Sequence, residues 1–169
     1  MEENKPFAIT IVGAESSGKT TLATQLADQY QCAVVPEYAR EYLLSIDRAY
    51  TEADLAIIAE QEWERIQVAM RDKLARESGR LIIDGGMLTL RMWARIKFQI
   101  EIPIVEHALK NDDTNLYILC RPRTFWESDP LREAPDLVDR AWIYNQYLAE
   151  LVKMQTDFEI RDLKGMVII

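Results

Sequence analysis

The chain has 169 residues, 49% of them apolar, with 28 Asp and Glu against 20 Lys and Arg and a formal net charge of −8. That length suits one domain, residues 1–169, with a sizeable core. The charge argues against a broad nucleic-acid footprint and against attraction to anionic membranes, and no apolar run approaches a membrane span.

The start, Met1-Glu2-Glu3-Asn4-Lys5, is acidic and short, unlike a signal peptide. Residues 7–12 form an apolar run that reads as a buried strand. Gly13-Ala14-Glu15-Ser16-Ser17-Gly18-Lys19-Thr20 follows and fits the phosphate-binding pattern G-x-x-x-x-G-K-[ST]. The glycines let the backbone curl so that successive N–H groups point into one concavity. Residues 19–30 continue as a helix, with Leu22 and Leu26 four apart, and its positive end faces the same anion. Lys19 brings a mobile charge to the outer phosphates. Thr20, with Thr21 beside it, brings a hydroxyl suited to Mg²⁺.

Residues 32–36 read as a second strand with Pro36 at its exit, and Glu37 opens a helix through Leu44. Thr51 and Asp54 form a capping box for a helix running to about Glu77, where Ser78-Gly79 ends it. Its stripe of Leu55, Ile58, Trp63, Ile66, Met70 and Leu74 reads as core. A third strand, 80–84, ends on Asp84, followed by Gly85-Gly86 and a helix over 88–97. Residues 103–109 read as a further helix, and His107, the single histidine, as a surface or packing residue. Residues 115–120 form a fourth strand. Cys32 and Cys120 both fall in strands and read as two buried thiols, which fits a reducing cytoplasm. The mixed-charge segment 121–133, with two prolines, reads as a loop or lid. A helix over 136–156, a strand over 158–163 and the tail Met166-Val167-Ile168-Ile169 complete the sequence. No closing helix is visible after the last strand, which leaves room for a homo-oligomer.

This β-α alternation predicts an α/β fold, a parallel sheet covered by helices on both faces. Ligands of such sheets sit outside the carboxyl ends of the strands, where the phosphate loop, Glu37-Tyr38 and Asp84 converge. Asp84 is suited to reach the Mg²⁺ of a bound nucleotide. Glu37 accepts the proton of an attacking hydroxyl or holds a sugar hydroxyl. Tyr38 flanks a planar ring or packs, and Arg40 meets either Glu41 or phosphate. Arg132 in the lid segment is the candidate for the transferring phosphoryl group. Arg121 and Arg123 are alternatives for phosphate or for stacking on adenine. Phe98 and Trp93 either line a base pocket or belong to the core.

Taken in order, the phosphate loop with its Glu-Ser-Ser, Pro36-Glu37-Tyr38-Ala39-Arg40-Glu41, Asp84 and Trp126…Asp129-Pro130-Leu131-Arg132 resemble the nicotinamide riboside kinase domain of NadR-type proteins and its stand-alone AAA ATPase-like relatives. The resemblance spans roughly residues 7–160. It implies a three-layer, nucleotide-kinase-like P-loop fold with strand order 2-3-1-4-5. It also implies ATP, Mg²⁺ and a nucleoside or riboside 5′-hydroxyl as acceptor. On this reading Gly13, Glu15, Ser16, Ser17, Gly18, Lys19, Thr20, Thr21 and Arg121 bind the nucleotide, and Thr20 and Asp84 hold the metal. Glu37, Tyr38, Phe98, Trp126 and Asp129 meet the acceptor, while Lys19, Glu37, Asp84 and Arg132 serve catalysis. Two positions depart from the family. Gly86 stands where it carries the second acid of an Asp-Thr-Asp, and Pro36 where riboside kinases carry a ring-stacking tryptophan, with Phe98 replacing a tyrosine on the ring's other side. The alternative to a kinase is a nucleotide-binding regulatory module or weak ATPase.

Overall fold

A computed structural model describes residues 5–124, 131–162 and 167–168. The described strands are β1 (Phe7–Gly13), β2 (Ala33–Val35), β3 (Arg80–Asp84), β4 (Thr114–Cys120), β5 (Phe158–Arg161) and β6 (Val167–Ile168). They form one sheet in the order β2-β3-β1-β4-β5-β6. The first five are mutually parallel, in the expected order 2-3-1-4-5. β6 is an addition, antiparallel to β5 and pairing Val167 with Arg161. The tail that offered no closing helix thus extends the sheet.

The strands alternate with period two, and each face has its own core. Ile9, Ile11, Ile82, Ile118 and Cys120 pack on one side against Leu22, Ala23, Leu26 and Ala27 of α1 (Lys19–Tyr30). On the other side lie Ala8, Val12, Leu81, Ile83, Tyr117 and Leu119. They meet α3 (Glu52–Arg71), α5 (Gly86–Trp93), α6 (Pro103–Lys110) and α7 (Leu137–Met154). Layers of helix, sheet and helix result. Cys32 and Cys120 are free and buried, as expected, and His107 is an exposed residue of α6.

The expected long helix over 51–77 is two helices. α3 ends at Asp72, whose carboxylate accepts the Leu74 N–H at 2.8 Å and starts α4 (Lys73–Ser78). The capping box forms: the Thr51 N–H donates to Asp54 at 2.7 Å. Asp54 also accepts from Tyr42 at 2.7 Å and from Arg48 at 2.7 and 2.8 Å. This ties the segment between α2 (Tyr38–Ser45) and α3 back onto α3. α5 starts two residues early, at Gly86, and passes into a π-helical turn over Ala94–Phe98.

Two glycines fix the backbone beside the strand ends. At Gly13 (φ +146) a Cβ would stand 2.8 Å from the Cys120 carbonyl oxygen, so the first loop glycine lets β4 approach. At Gly86 (φ +62) a Cβ would meet Ile83 Cγ2 at 3.1 Å and Thr10 Cγ2 at 3.2 Å. A side chain there would enter the core. Gly86→Ala should therefore lower stability by roughly 2 kcal/mol, the left-handed backbone and the tight contact both contributing. Urea denaturation measures this, and an unchanged midpoint would contradict the account.

Candidate functional site

Parallel pairing of β1 with β3 brings the site together. Ile11 lies opposite Asp84, and the Gly85 N–H donates to the Ile11 carbonyl at 2.8 Å. The phosphate loop leaves β1 just beyond this point, so the first turn of α1 faces the end of β3. Thr20 Oγ1 donates to Asp84 Oδ2 at 2.6 Å. Asp84 is 3% exposed, and its Oδ1 is buried with no hydrogen-bond partner. Burial pushes its carboxyl up, against the Thr20 hydrogen bond and the Lys19 charge. Hydroxyl and carboxylate oxygens are the hard donors that Mg²⁺ takes, usually with several waters. The pair, with its unpartnered oxygen, fits such an ion.

The loop Gly13–Thr20 is a concave strap of backbone, with Ser16 at φ 55 and Gly18 at φ 87. Lys19 Nζ donates to the Gly13 and Ala14 carbonyls at 3.0 Å each, so the ammonium folds back over its own loop. The hydroxyls of Ser16 and Ser17 are buried without a partner. The Glu15 carboxylate accepts the N–H groups of Glu133 and Ala134, each within 2.9 Å of one oxygen.

A cavity of about 220 Å³ runs from this loop, Thr21 included, between the ends of the strands and α2, α5 and α7. Its far wall is mostly apolar and aromatic, with Leu43, Tyr50, Leu55, Trp93, Ile143 and Tyr147. Glu37, Arg40, Arg123 and Arg132 supply polar groups. Gly85 takes a left-handed backbone (φ +84) beside Glu37, where a Cβ would make only ordinary contact with the Glu37 carboxyl carbon at 3.5 Å. Burial pushes Glu37 up; Lys19 and Arg40 act against this, and Asp84 and Glu15 add to it.

Several expected acceptor residues lie elsewhere. Tyr38 is outside the cavity wall, under the Arg65 guanidinium (4.3 Å) and beside the Tyr42 ring (6.2 Å). Phe98 is also outside the wall and packs edge-on against Tyr50 at 5.9 Å. The rings in the cavity wall are those of Tyr50, Trp93 and Tyr147, while Phe98 ends the π-helical turn. Arg121 is exposed, its N–H donating to the Arg161 carbonyl at 2.9 Å, while Arg123 lines the wall. Glu41 pairs with Arg65 at 2.9 Å, and Arg40 faces the cavity. Pro36 lies in an outer groove beside β2, away from the phosphate loop. Trp126 and Asp129 lie outside the described residues.

Among the described residues, Glu62 and Arg140 are buried charges that the sequence-based site leaves out. Glu62 of α3, 2% exposed, accepts the Tyr38 N–H at 2.9 Å and so holds the start of α2, next to Glu37. Burial pushes it up to about 8, the Tyr38 N–H acting against this and the charges of Glu37 and Asp84 adding to it. Arg140 of α7, 1% exposed, donates to the carbonyls of Arg123 (3.0 Å), Ala134 (3.1 Å) and Pro135. Each is visible as a charge within an apolar stripe, Ile58-Glu62-Ile66 and Arg140-Ile143-Tyr147.

The phosphate loop, the metal-type pair and the sheet order define a P-loop domain of the nucleotide-kinase-like class. The protein belongs to the AAA_28 family, an AAA domain, which it matches over residues 8–165. It is 29% identical over 160 residues to the trifunctional NAD biosynthesis/regulator protein NadR of Salmonella typhimurium, covering 89% of this chain and 37% of that protein. The crystal structure of a NadR protein in complex with NR superposes with a TM-score of 0.80 at 21% identity, covering 97% of this chain and 48% of that one. Thymidylate kinase from Ehrlichia chaffeensis shares the fold at a TM-score of 0.61 and 14% identity, covering 92% of this chain and 86% of that one. The protein thus spans less than half the length of the NadR proteins it matches. The resemblance to NadR-type proteins and to AAA ATPase-like relatives is borne out. Among the described residues no helix is long and apolar enough to cross a membrane.

The carboxyls of Glu62, Glu37 and Asp84 are all held protonated more readily than in the unfolded state. Their burial is therefore best tolerated at low pH and opposes folding as they ionise. For Glu62 the loss develops as pH rises from 4.5 towards about 8. Glu62→Gln keeps an acceptor for the Tyr38 N–H and removes that charge. Melting temperatures taken across this window should fall less steeply with pH in the variant than in the native protein. Parallel curves would contradict the assignment.

Proposed function

We propose that the protein is a Mg-ATP-dependent kinase that phosphorylates a hydroxyl of a nucleoside or riboside. The observation that carries this reading is the single cavity shared by the phosphate loop, Glu37 and an aromatic wall of Tyr50 and Trp93. Such a cavity suits a planar base and sugar with one hydroxyl directed at the phosphates. Its structural neighbours, a NadR protein with NR and a thymidylate kinase, support a ligand of this chemical class.

Phosphoryl transfer asks mainly for positioning and charge stabilisation. The loop amides hold the triphosphate, and Lys19 leaves the Gly13 and Ala14 carbonyls for its outer oxygens. Thr20 and Asp84 hold Mg²⁺, which offsets charge between the phosphates. Glu37 takes the proton of the attacking hydroxyl, a role favoured by a carboxyl whose burial brings it closer to neutrality. Arg132, in the cavity wall, meets the charge of the transferring group. Glycine at position 86 gives little support to the alternative of a regulatory module without kinase activity. A side chain there would point at Ile83 and Thr10, so no cavity contact is missing for want of an acid on this backbone.

ADP release over a panel of nucleosides and ribosides tests the reading. One acceptor should stimulate turnover. Glu37→Gln should then lower kcat by roughly 10²- to 10⁴-fold with the KM for ATP little changed. It should also abolish the acid limb of the pH profile, which lies above the ordinary carboxylate range because burial raises Glu37. ATP binding without stimulation by any acceptor would overturn the kinase and favour the regulatory module.

A further inference from the structure

Glu15 is the acid of the phosphate loop. A carboxylate among bound phosphates is repelled by them unless its charge is engaged elsewhere. Here it is engaged. One oxygen accepts from the Glu133 N–H at 2.8 Å and the Ala134 N–H at 2.9 Å, and the other from the Glu133 N–H at 3.1 Å. These partners are 118 and 119 positions further along the sequence. Hydrogen bonds to an ionised acceptor belong to the stronger class.

The same stretch of backbone is gripped from its other side. Arg140 donates to the Ala134 and Pro135 carbonyls, and to that of Arg123. The Glu133 side chain is held as well, by Lys97 Nζ at 2.6 Å, with that ammonium 3.7 Å from the Tyr50 ring centroid. At 133–135 the amides, the carbonyls and a carboxylate are thus each fixed by a different element. Arg132 precedes this clamp and lines the cavity that the phosphate loop opens into.

We propose that Glu15 is a positioning residue, clasping the 133–134 backbone to the phosphate loop so that Arg132 faces the transferring phosphoryl group. The proposal rests on the kinase reading for its chemistry. The clasp itself can be tested without it. Glu15 then contributes to rate through Arg132, and its carboxylate is not a ligand of ATP.

Two measurements on the 169-residue chain decide this. Amide hydrogen exchange reads the clasp: in Glu15→Ala the Glu133 and Ala134 amides should exchange roughly 10- to 100-fold faster, as expected on losing a charged acceptor. Glu15→Gln, which retains one acceptor oxygen, should restore part of the protection. A kinetic cycle reads the coupling. Glu15→Ala should lower kcat with the KM for ATP unchanged, Arg132→Ala should lower it further, and the double variant should match Arg132→Ala alone. Unchanged amide exchange, a raised KM for ATP at constant kcat, or losses that multiply in the double variant would each overturn the proposal. If the native protein phosphorylates no acceptor, the kinase reading fails separately. The same cycle is then read on affinity for Mg-ADP with aluminium fluoride, where coupled losses support the clasp and independent losses overturn it.

Discussion

The hydrogen bond between Thr20 and Asp84, 2.6 Å long, is the contact on which the site depends. It joins the first turn of α1 to the end of β3, two places 64 residues apart in sequence. It exists because β1 and β3 are neighbours in the sheet and run parallel, with Ile11 opposite Asp84. A slip of one residue in that register would turn Asp84 towards the opposite face of the sheet. The apolar alternation of β3, with Leu81 and Ile83 on one side and Ile82 on the other, holds the register. Core packing thereby places a carboxylate against a hydroxyl, and chemistry follows from where the core stops.

Beyond that contact the site concentrates acids in a place poorly served by water. Asp84 and Glu62 are buried and Glu37 lies partly so. All three are raised first by burial. The cations opposing this are few: Lys19 acts on Asp84 and Glu37, Arg40 on Glu37, and Arg65 on Glu62. Such a cluster costs stability and is retained where ionisable groups serve a reaction or a bound cation. Glu62 connects it to local structure. By accepting the Tyr38 N–H it satisfies a donor at the start of α2, just after Glu37. The carboxylate that caps α2 and the one in the cavity wall therefore belong to one electrostatic unit.

The fold is legible in the sequence because its signals are local and repeated. Each inner strand is an apolar run, the loop pattern sits between a strand and a helix, and Asp84 ends its strand. Residues at strand ends can be assigned to the cavity because the parallel sheet leaves them few other places. Helix-borne residues are harder. Tyr38 and Phe98 are expected in the acceptor site, yet the wall holds Tyr50, which the sequence does not single out, and Trp93, for which it leaves base pocket and core open. Which side of a helix faces a cavity depends on rotation about its axis. At Phe98 that rotation is altered by a π-helical turn which no residue pattern announces. The helix break at Asp72 is hidden because periodicity continues across it. Glu62 and Arg140 are open to inference, since a charge in an apolar stripe demands a buried partner, but the partners are backbone groups that sequence does not reveal.

On the proposed reading, the loop Gly13–Thr20 grips a nucleotide's phosphates and Thr20 and Asp84 hold its metal. A crystal structure with AMP-PNP and Mg²⁺ tests this most directly. The account predicts the β- and γ-phosphates against the loop amides, Lys19 Nζ moved from the Gly13 and Ala14 carbonyls onto phosphate oxygen, and the ion beside Thr20 and Asp84. Phosphates bound elsewhere, with Lys19 still on its own loop, would contradict it.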